Sequence, residues 1–404
     1  MQKKYQNNLM STPVLTSITA GTVGAGLALG VSSLAKYIAR TTVTIQSARQ
    51  DYIPMRPIVE GDKKSVALPI NEDTIAQGRY SIYFNDGAGF ARIGKILNID
   101  EKEQEVTREV ENVSYGDFAS AKGASWVGYI WDNPGELGLK YEDVYIPTEN
   151  GPAPSWMVSA NKNEVSDTCV IVVHGRGASK AEGLRAVPAL VHEGLDVLLV
   201  NYRNDYEGPK SRSGVYGLGF TEWHDVQQGI SYVLQRGAKR VILYGWSMGG
   251  AIVMRTYFNA RYRNRIEGLI LDAPALDWGD ILRSQMSRYW LPSFMGDLAE
   301  QALSGRFGAF VQDKSAIINS KSLNWLEHTQ WLKSPILIFH STDDKYVPYG
   351  PSQELAKKRP DLVTYDKSTN AMHTKEWNVD PEYYNLHLKT WLRQHGLSDR
   401  KSAS

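Results

Sequence analysis

Ser247 lies between two glycines in Gly245-Trp246-Ser247-Met248-Gly249, directly after the apolar run Val241-Ile242-Leu243-Tyr244. In a G-x-S-x-G segment of this kind a strand ends, the chain reverses sharply and a helix begins. The serine hydroxyl is left exposed at the edge of the sheet. Glycine is required on both flanks because side chains there would meet the neighbouring strand and helix. Free N–H groups at the start of the helix favour negative charge developing on a substrate oxygen. Such a serine becomes a nucleophile only with a base and an acid that orients it. Downstream, the short apolar run Pro335-Ile336-Leu337-Ile338-Phe339-His340 leads into Ser341-Thr342-Asp343-Asp344, and an expected edge strand, Leu362-Val363-Thr364-Tyr365, leads into Asn370-Ala371-Met372-His373-Thr374. His373 can take the Ser247 proton while an aspartate fixes its tautomer and stabilises the imidazolium. An acyl-enzyme then forms and is released by water. Either of the adjacent acids, Asp343 or Asp344, could fill the orienting role. Without these partners the motif would be a strand-to-helix turn with an incidental serine.

The elements that must position these residues are legible as alternating patterns. Strand-like runs at Asp143–Pro147, Ser155–Ala160, Val170–His174, Val197–Tyr202, Val241–Tyr244, Gly268–Leu271, Ile336–Phe339 and Leu362–Tyr365 are mostly separated by helical patterns. That recurrence predicts an open, doubly wound, mostly parallel α/β sheet with ligands at the strand carboxyl ends. Between Ala273 and Trp331 the strand pattern lapses, and helical segments at Trp278–Trp290 and Pro292–Gly305 are rich in aromatics. A separate β-rich stretch precedes the alternation. Arg79–Phe84 and Phe90–Leu97 flank an Asp86-Gly87 turn and predict a hairpin, with further strands at Ser65–Ile70 and Glu105–Val110. This small module reads as a spacer or as a wall of the active-site entrance. His174, in His174-Gly175-Arg176-Gly177, reads as packing under its loop, and His224 reads as part of a helix face. The Arg176 side chain is either an anchor for a substrate carboxylate or simply exposed.

The stretches His174-Gly175-Arg176-Gly177, Asn201-Tyr202-Arg203-Asn204-Asp205, Gly245–Gly250 and His373-Thr374-Lys375-Glu376-Trp377-Asn378 resemble those of α/β-hydrolases, over about residues 125–395. They are most similar to bacterial serine hydrolases of the prolyl-oligopeptidase and serine-aminopeptidase-like branch. The chain order Ser247, Asp344, His373 is the order found in that fold. The resemblance implies Asp344 as the acid, since it matches strand–G-x-x-D-x-x-V-P with Val347-Pro348, although Ser341 stands where the family usually has glycine. It implies the Arg176 and Met248 amides as oxyanion donors, and it makes the region of about 274–331 a cap that shapes the substrate pocket. The Arg203-Asn204-Asp205 loop is read as structural first.

The amino terminus carries a different signal. Lys3 and Lys4 precede an uncharged stretch from Asn7 through Leu34, followed by Lys36 and Arg40. The segment of about 13–35 has roughly the 20 residues that cross a bilayer core, so a single-pass membrane anchor is expected, with a cleaved signal near Val31-Ser32-Ser33 as the alternative and a buried soluble helix, disfavoured by the many glycines, as the third reading. The expected organisation is an anchor over 1–44, the β-rich module over 45–124, the hydrolase over 125–396 and a tail over 397–404. Net charge is +1, with no basic cluster of interleaved aromatics, which argues against a nucleic-acid surface. Cys169 is the only cysteine, and the eight histidines show no metal-ligand spacing, so neither a metal nor another cofactor is expected. Three functions compete: an ester or related acyl hydrolase, a serine peptidase or aminopeptidase on small peptides, and a non-catalytic scaffold of the same fold. The peptidase needs an acid for the substrate amine, and Asp277, Asp280, Asp297 and Glu300 in the cap are the candidates.

Overall fold

The computed structural model describes residues 23–45, 50–160, 166–304 and 324–399. The larger sheet has eight strands: β8 (Tyr141–Thr148), β9 (Gly151–Val158), β10 (Thr168–Val173), β11 (Asp196–Val200), β12 (Arg240–Trp246), β13 (Ile266–Asp272), β14 (Ile336–Ser341) and β15 (Val363–Ser368), in the order β15-β14-β13-β12-β10-β11-β9-β8. All eight expected strands are present. β8 with β9 and β9 with β11 are antiparallel, and the remaining pairs are parallel. The parallel strands are continuous apolar runs because helices cover both faces, so every residue of β10, β11 and β14 is buried. These helices are α2 (Val187–His192), α3 (Trp223–Gln235), α4 (Met248–Asn259), α7 (Gly350–Lys358), α8 (Glu376–Val379) and α9 (Pro381–Gln394). In register, Val173 lies opposite Gly245, Trp246 opposite Asp272, Asp272 opposite Phe339, and Ser341 opposite Ser368. The carboxyl ends of the central strands are thereby brought level with one another.

The smaller sheet is built from β1 (Ile53–Pro54), β2 (Arg56–Glu60), β3 (Lys63–Pro69), β4 (Tyr80–Phe84), β5 (Gly89–Asp100), β6 (Glu105–Tyr115) and β7 (Gly123–Val127), in the antiparallel order β1-β7-β4-β5-β6-β3-β2. The hairpin between β4 and β5 turns through Asn85, Asp86 and Gly87, with φ of 51°, 53° and 91°. Asn, Asp and Gly tolerate this left-handed backbone at least cost. The expected division after residue 124 falls inside β7, which pairs with β4 through Val127. Nor is the module a detached spacer. Tyr83 and Phe90 enter the core on one face of the larger sheet, beside Tyr129, Leu184 and Trp377. Inside the module Arg108 is fully buried, and its guanidinium donates to the carbonyls of Gly94, Thr74, Ala76 and Gly78. It lies against the rings of Tyr80 and Trp126 and so ties the 74–78 loop to β5.

The described residues do not support the expected N-terminal span. The described helix α1 runs from Val23 to Val43, beyond the expected end at 35, while residues 13–22 lie outside the described residues. No helix among the described residues is long and apolar enough to cross a membrane. The later turns of α1 carry Lys36 and Arg40, and they bury Ala35, Ile38, Ala39 and Val43 in the same core as α4 and the cap. Full burial of an Ile or Val side chain contributes about 1.5–3 kcal/mol, so these turns are held by protein. The Val43 carbonyl accepts from the Tyr216 amide at 2.8 Å, which pins the end of the helix to the body of the fold.

The expected cap helices are present as α5 (Trp278–Arg288) and α6 (Phe294–Ser304), and α1 packs against α6. Residues 305–323 of the expected cap lie outside the described residues, as does the end of the expected tail from residue 400. Leu397 is buried, and Asp399 accepts from Thr168 and Arg240.

Candidate active site

β12 delivers Trp246, and the chain then turns through Ser247 at φ 52° and ψ −118° before α4 begins at Met248. A non-glycine residue in this region costs of order 1–3 kcal/mol and persists only where its surroundings enforce it. Here they do. The Ser247 amide donates to the Asp272 carbonyl at 2.9 Å, and the Ser247 carbonyl accepts from Gly250 and Ala275. A Cβ on Gly245 would lie 2.4 Å from the Gly249 carbonyl oxygen, and one on Gly249 would lie 2.1 Å from that of Val173. Both glycines are therefore needed for the turn to close against β10.

His373 Nε2 lies 2.8 Å from Ser247 Oγ, and its Nδ1 lies 2.6 Å from Asp344 Oδ2. The carboxylate accepts on every side. Oδ1 receives the amides of Tyr346 and Val347 at 2.8 and 2.9 Å, and Oδ2 also faces His340 Nε2 at 3.2 Å. Burial opposes its charge. The neighbouring His373 and the hydrogen bonds from both imidazoles prevail and hold the carboxyl well below the usual carboxylate range. Asp343 is exposed, and its Oδ2 accepts the Asn370 amide at 2.8 Å, which braces the loop that carries His373. Of the two adjacent acids, it is Asp344 that the geometry joins to the histidine.

The His174–Gly177 loop leaves β10 against the serine, since a Cβ on Gly175 would lie 3.2 Å from Ser247 Cβ. Among the described residues the Arg176 and Met248 amides meet no protein acceptor, whereas the Gly175 amide donates to Glu182 Oε2 at 2.7 Å. His174 is wholly buried and stacks on Tyr202, with Nδ1 2.8 Å from the Gly175 carbonyl and Nε2 2.8 Å from Asp205. Burial disfavours its charge, but the Asp205 carboxylate outweighs that and raises its pKa. Both ring nitrogens face acceptors, so the imidazolium fits this site. It packs under the loop, as expected. The Arg176 side chain is exposed, with Nη1 3.5 Å from the Thr41 carbonyl at the end of α1. Arg203 is bound by Asp225 through its backbone and guanidinium, consistent with a structural role for that loop. His224 stacks on Trp223 at 3.9 Å.

Several residues that support the site carried no sequence signal. His340 read only as the end of a strand. In the fold its Nδ1 pairs with Ser352 Oγ at 2.8 Å, which directs Nε2 at Asp344. Arg185 donates to the Thr374 carbonyl and to Asn378 Oδ1, both at 2.7 Å, and lies 3.6 Å from Glu182. Asn378 in turn donates to the carbonyls of Arg79 and Gly128 at 2.6 and 2.9 Å. One buried chain of contacts thus runs from the His174–Gly177 loop through the loop that carries His373 to the β-rich module. At the rim, Glu72 of that module pairs with Lys345 and Arg288, and the Tyr346 ring lies 5.9 Å from that of His373. The module thus reaches both the loop that follows β14 and the helix α5.

The four cap acids are engaged elsewhere. Asp277 caps α5 by accepting the Asp280 amide at 3.0 Å, while Asp280, Asp297 and Glu300 surround Arg283 at 3.8, 3.1 and 3.9 Å. Among the described residues no cluster of three or more His, Cys, Asp or Glu side chains could hold a metal. Burial pushes the Cys169 thiol up, away from the reactive thiolate form.

Residues 170–382 match the model of the alpha/beta hydrolase family, and residues 57–127 match a domain of unknown function (DUF8805). The uncharacterized protein YqkD of Bacillus subtilis is 23% identical over 230 residues, covering 55% of this chain and 70% of that protein. The human protein ABHD12B is 25% identical over 217 residues, covering 51% of each, so this chain matches about half of its length. Among solved structures, the Pyrococcus furiosus esterase Pf2001 superposes with a TM-score of 0.50 at 22% identity, over 65% of this chain and 94% of that one. At that identity the likeness is one of fold.

Proposed function

We propose that this chain, which belongs to the alpha/beta hydrolase family, is a serine hydrolase that cleaves an ester or related acyl bond. The observation that carries the reading is the unbroken line of contacts from Ser247 Oγ through His373 to Asp344, at 2.8 and 2.6 Å. His373 accepts the serine proton as Ser247 attacks the acyl carbon, and Asp344 holds Nδ1 protonated so that Nε2 is the basic nitrogen. The Arg176 and Met248 amides donate to the oxygen that becomes negative, and the helix start at Met248 adds its dipole. His373 returns the proton to the departing alcohol. It then activates water to free the acyl group from Ser247.

Acyl esters are preferred to aminoacyl amides because the acids that could bind a substrate amine are committed to Arg283 and to the start of α5. The solved relative from Pyrococcus furiosus is itself named an esterase. A fluorophosphonate probe should label the protein covalently, and Ser247→Ala should abolish labelling. Undiminished labelling of that variant would remove Ser247 from the mechanism. A graded panel of acyl esters and aminoacyl amides then separates the esterase from the peptidase, and faster turnover of the amides would reverse the preference.

A further inference from the structure

Beneath the triad lie two acids that the proposed reaction does not use. Asp272 ends β13 and is fully buried, and Glu376 opens α8 with 6% of its surface exposed. Asp272 Oδ2 accepts the Tyr384 hydroxyl at 2.7 Å, and Tyr384 also hydrogen-bonds the Tyr244 hydroxyl. Glu376 Oε1 accepts the Ser341 amide at 2.8 Å. The remaining oxygens, Asp272 Oδ1 and Glu376 Oε2, are buried and receive no donor from any other described group. The two carboxyl groups are within hydrogen-bonding reach of each other. Ionised carboxylates only accept, so a bond between them needs a proton on one.

Their surroundings decide which. Arg185, Lys375 and Glu182 face Asp272, Asp344 faces Glu376, and the phenols of Tyr244, Tyr384, Tyr80 and Tyr365 border the pair. The Arg185 charge acts on Asp272, which also accepts from a hydroxyl, and both suit the ionised form. Glu376 faces two acids and suits the protonated one.

Each segment of the proposed triad is one step from this pair. The Ser247 amide is bonded to the Asp272 carbonyl. Ser341, which is bonded to Glu376, ends the strand before Asp344, and its Oγ accepts the amides of Asp343 and Ala371 at 3.1 and 3.3 Å. His373 precedes Glu376 by one turn. We propose that Asp272 and Glu376 share one proton and form a positioning pair that holds the segments carrying Ser247, Asp344 and His373 in register. The positioning role rests on the reading of those three residues as the catalytic triad.

Loss of the shared proton places two carboxylates side by side in the interior, where they repel. The folded chain retains this proton above the pH at which an unfolded glutamate releases it. Stability therefore falls as pH rises from the ordinary carboxylate range towards the raised value of Glu376. Glu376→Gln preserves the bond without a titrating proton, because its amide can donate to Asp272 while its carbonyl accepts from Ser341. Asp272→Asn preserves it from the other side. Both should keep most of the neutral-pH kcat, and both should lose the decline in Tm and kcat expected of the wild type as pH rises above the ordinary carboxylate range. Glu376→Ala should lower kcat by roughly 10–100-fold with little change in KM, the scale of a misplaced catalytic group.

The proposal is overturned if Glu376→Gln is as impaired as Glu376→Ala at neutral pH, or if both amide variants keep the wild-type dependence of Tm on pH above the carboxylate range. It is equally overturned if both fail to fold, since each retains the hydrogen bond. Labelling of the wild type by the fluorophosphonate at neutral pH tests the triad by itself. The Tm-against-pH comparison tests the shared proton whatever the labelling result.

Discussion

Replacing Asp344 by asparagine changes one atom and should disable the base without disturbing the loop. Asp344 Oδ1 accepts two backbone amides, from Tyr346 and Val347. In Asp344→Asn the carbonyl oxygen must remain there, because an NH2 group cannot accept them. The NH2 group therefore falls at the Oδ2 position, facing His373 Nδ1 and His340 Nε2. His373 can meet it only by making Nδ1 an acceptor, and the ring proton then moves to Nε2, toward Ser247. The histidine can no longer take the serine proton. A triad held in the wrong tautomer loses about 10⁴-fold in kcat, or about 5.5 kcal/mol of transition-state stabilisation. His340 also loses an acceptor, although the Val347 carbonyl at 3.1 Å still receives its proton. The folding cost should therefore stay near 1–3 kcal/mol, the scale of one buried unmet group. The effect depends on pH. In the folded chain this carboxyl ionises below its unfolded value, so its stabilisation is complete above the ordinary aspartate range and is lost as pH falls through the folded value. Asp344→Asn should lack that acid-side component of the Tm profile. The assay is kcat/KM on an activated acyl ester, with the rate of fluorophosphonate labelling as a second readout and Asp343→Asn as the control, expected within about threefold of wild type because its amide oxygen still accepts from Asn370. The reasoning is refuted if Asp344→Asn retains more than about a tenth of the activity, or if Asp343→Asn is the variant that collapses.

Gly249→Ala would drive a methyl group to 2.1 Å from the Val173 carbonyl and 2.6 Å from that of His174, displacing the His174–Gly177 loop. It should cost at least about tenfold in kcat, whereas Gly350→Ala, whose Cβ meets nothing within 4 Å, should match wild type in the same ester assay. Asn378→Ala removes the buried link among Arg185, Arg79 and Gly128. It should destabilise by about 2–4 kcal/mol in urea unfolding and lower kcat together with Tm; unchanged kcat would show that the β-rich module does not steady the histidine loop. Arg108→Met leaves the carbonyls of Gly94, Thr74, Ala76 and Gly78 without their buried donor. A loss of about 3–5 kcal/mol is expected, read as a lower urea midpoint.

The catalytic motif, the eight strands and the cap helices were legible in the sequence because each depends on local pattern. A glycine-flanked serine after an apolar run, fully apolar strands and amphipathic helices are set by backbone geometry and burial within a few residues. The order of serine, acid and histidine was legible for the same reason, since each follows its own strand. What the sequence by itself left open was every choice that depends on approach in space. Asp343 and Asp344 are chemically identical neighbours, and only the turn after β14 aims one at His373 and the other at the Asn370 amide. The N-terminal stretch through Leu34 has the composition of a membrane span, and the turns that follow it, from Ala35 to Val43, are buried against protein. Hydropathy reports how apolar a helix is and not what covers it. The buried contacts through His340, Arg185, Asn378 and the Asp272–Glu376 pair join residues up to 299 positions apart. No periodicity encodes such contacts, because they arise only where strand ends and the second sheet converge on the same few ångströms.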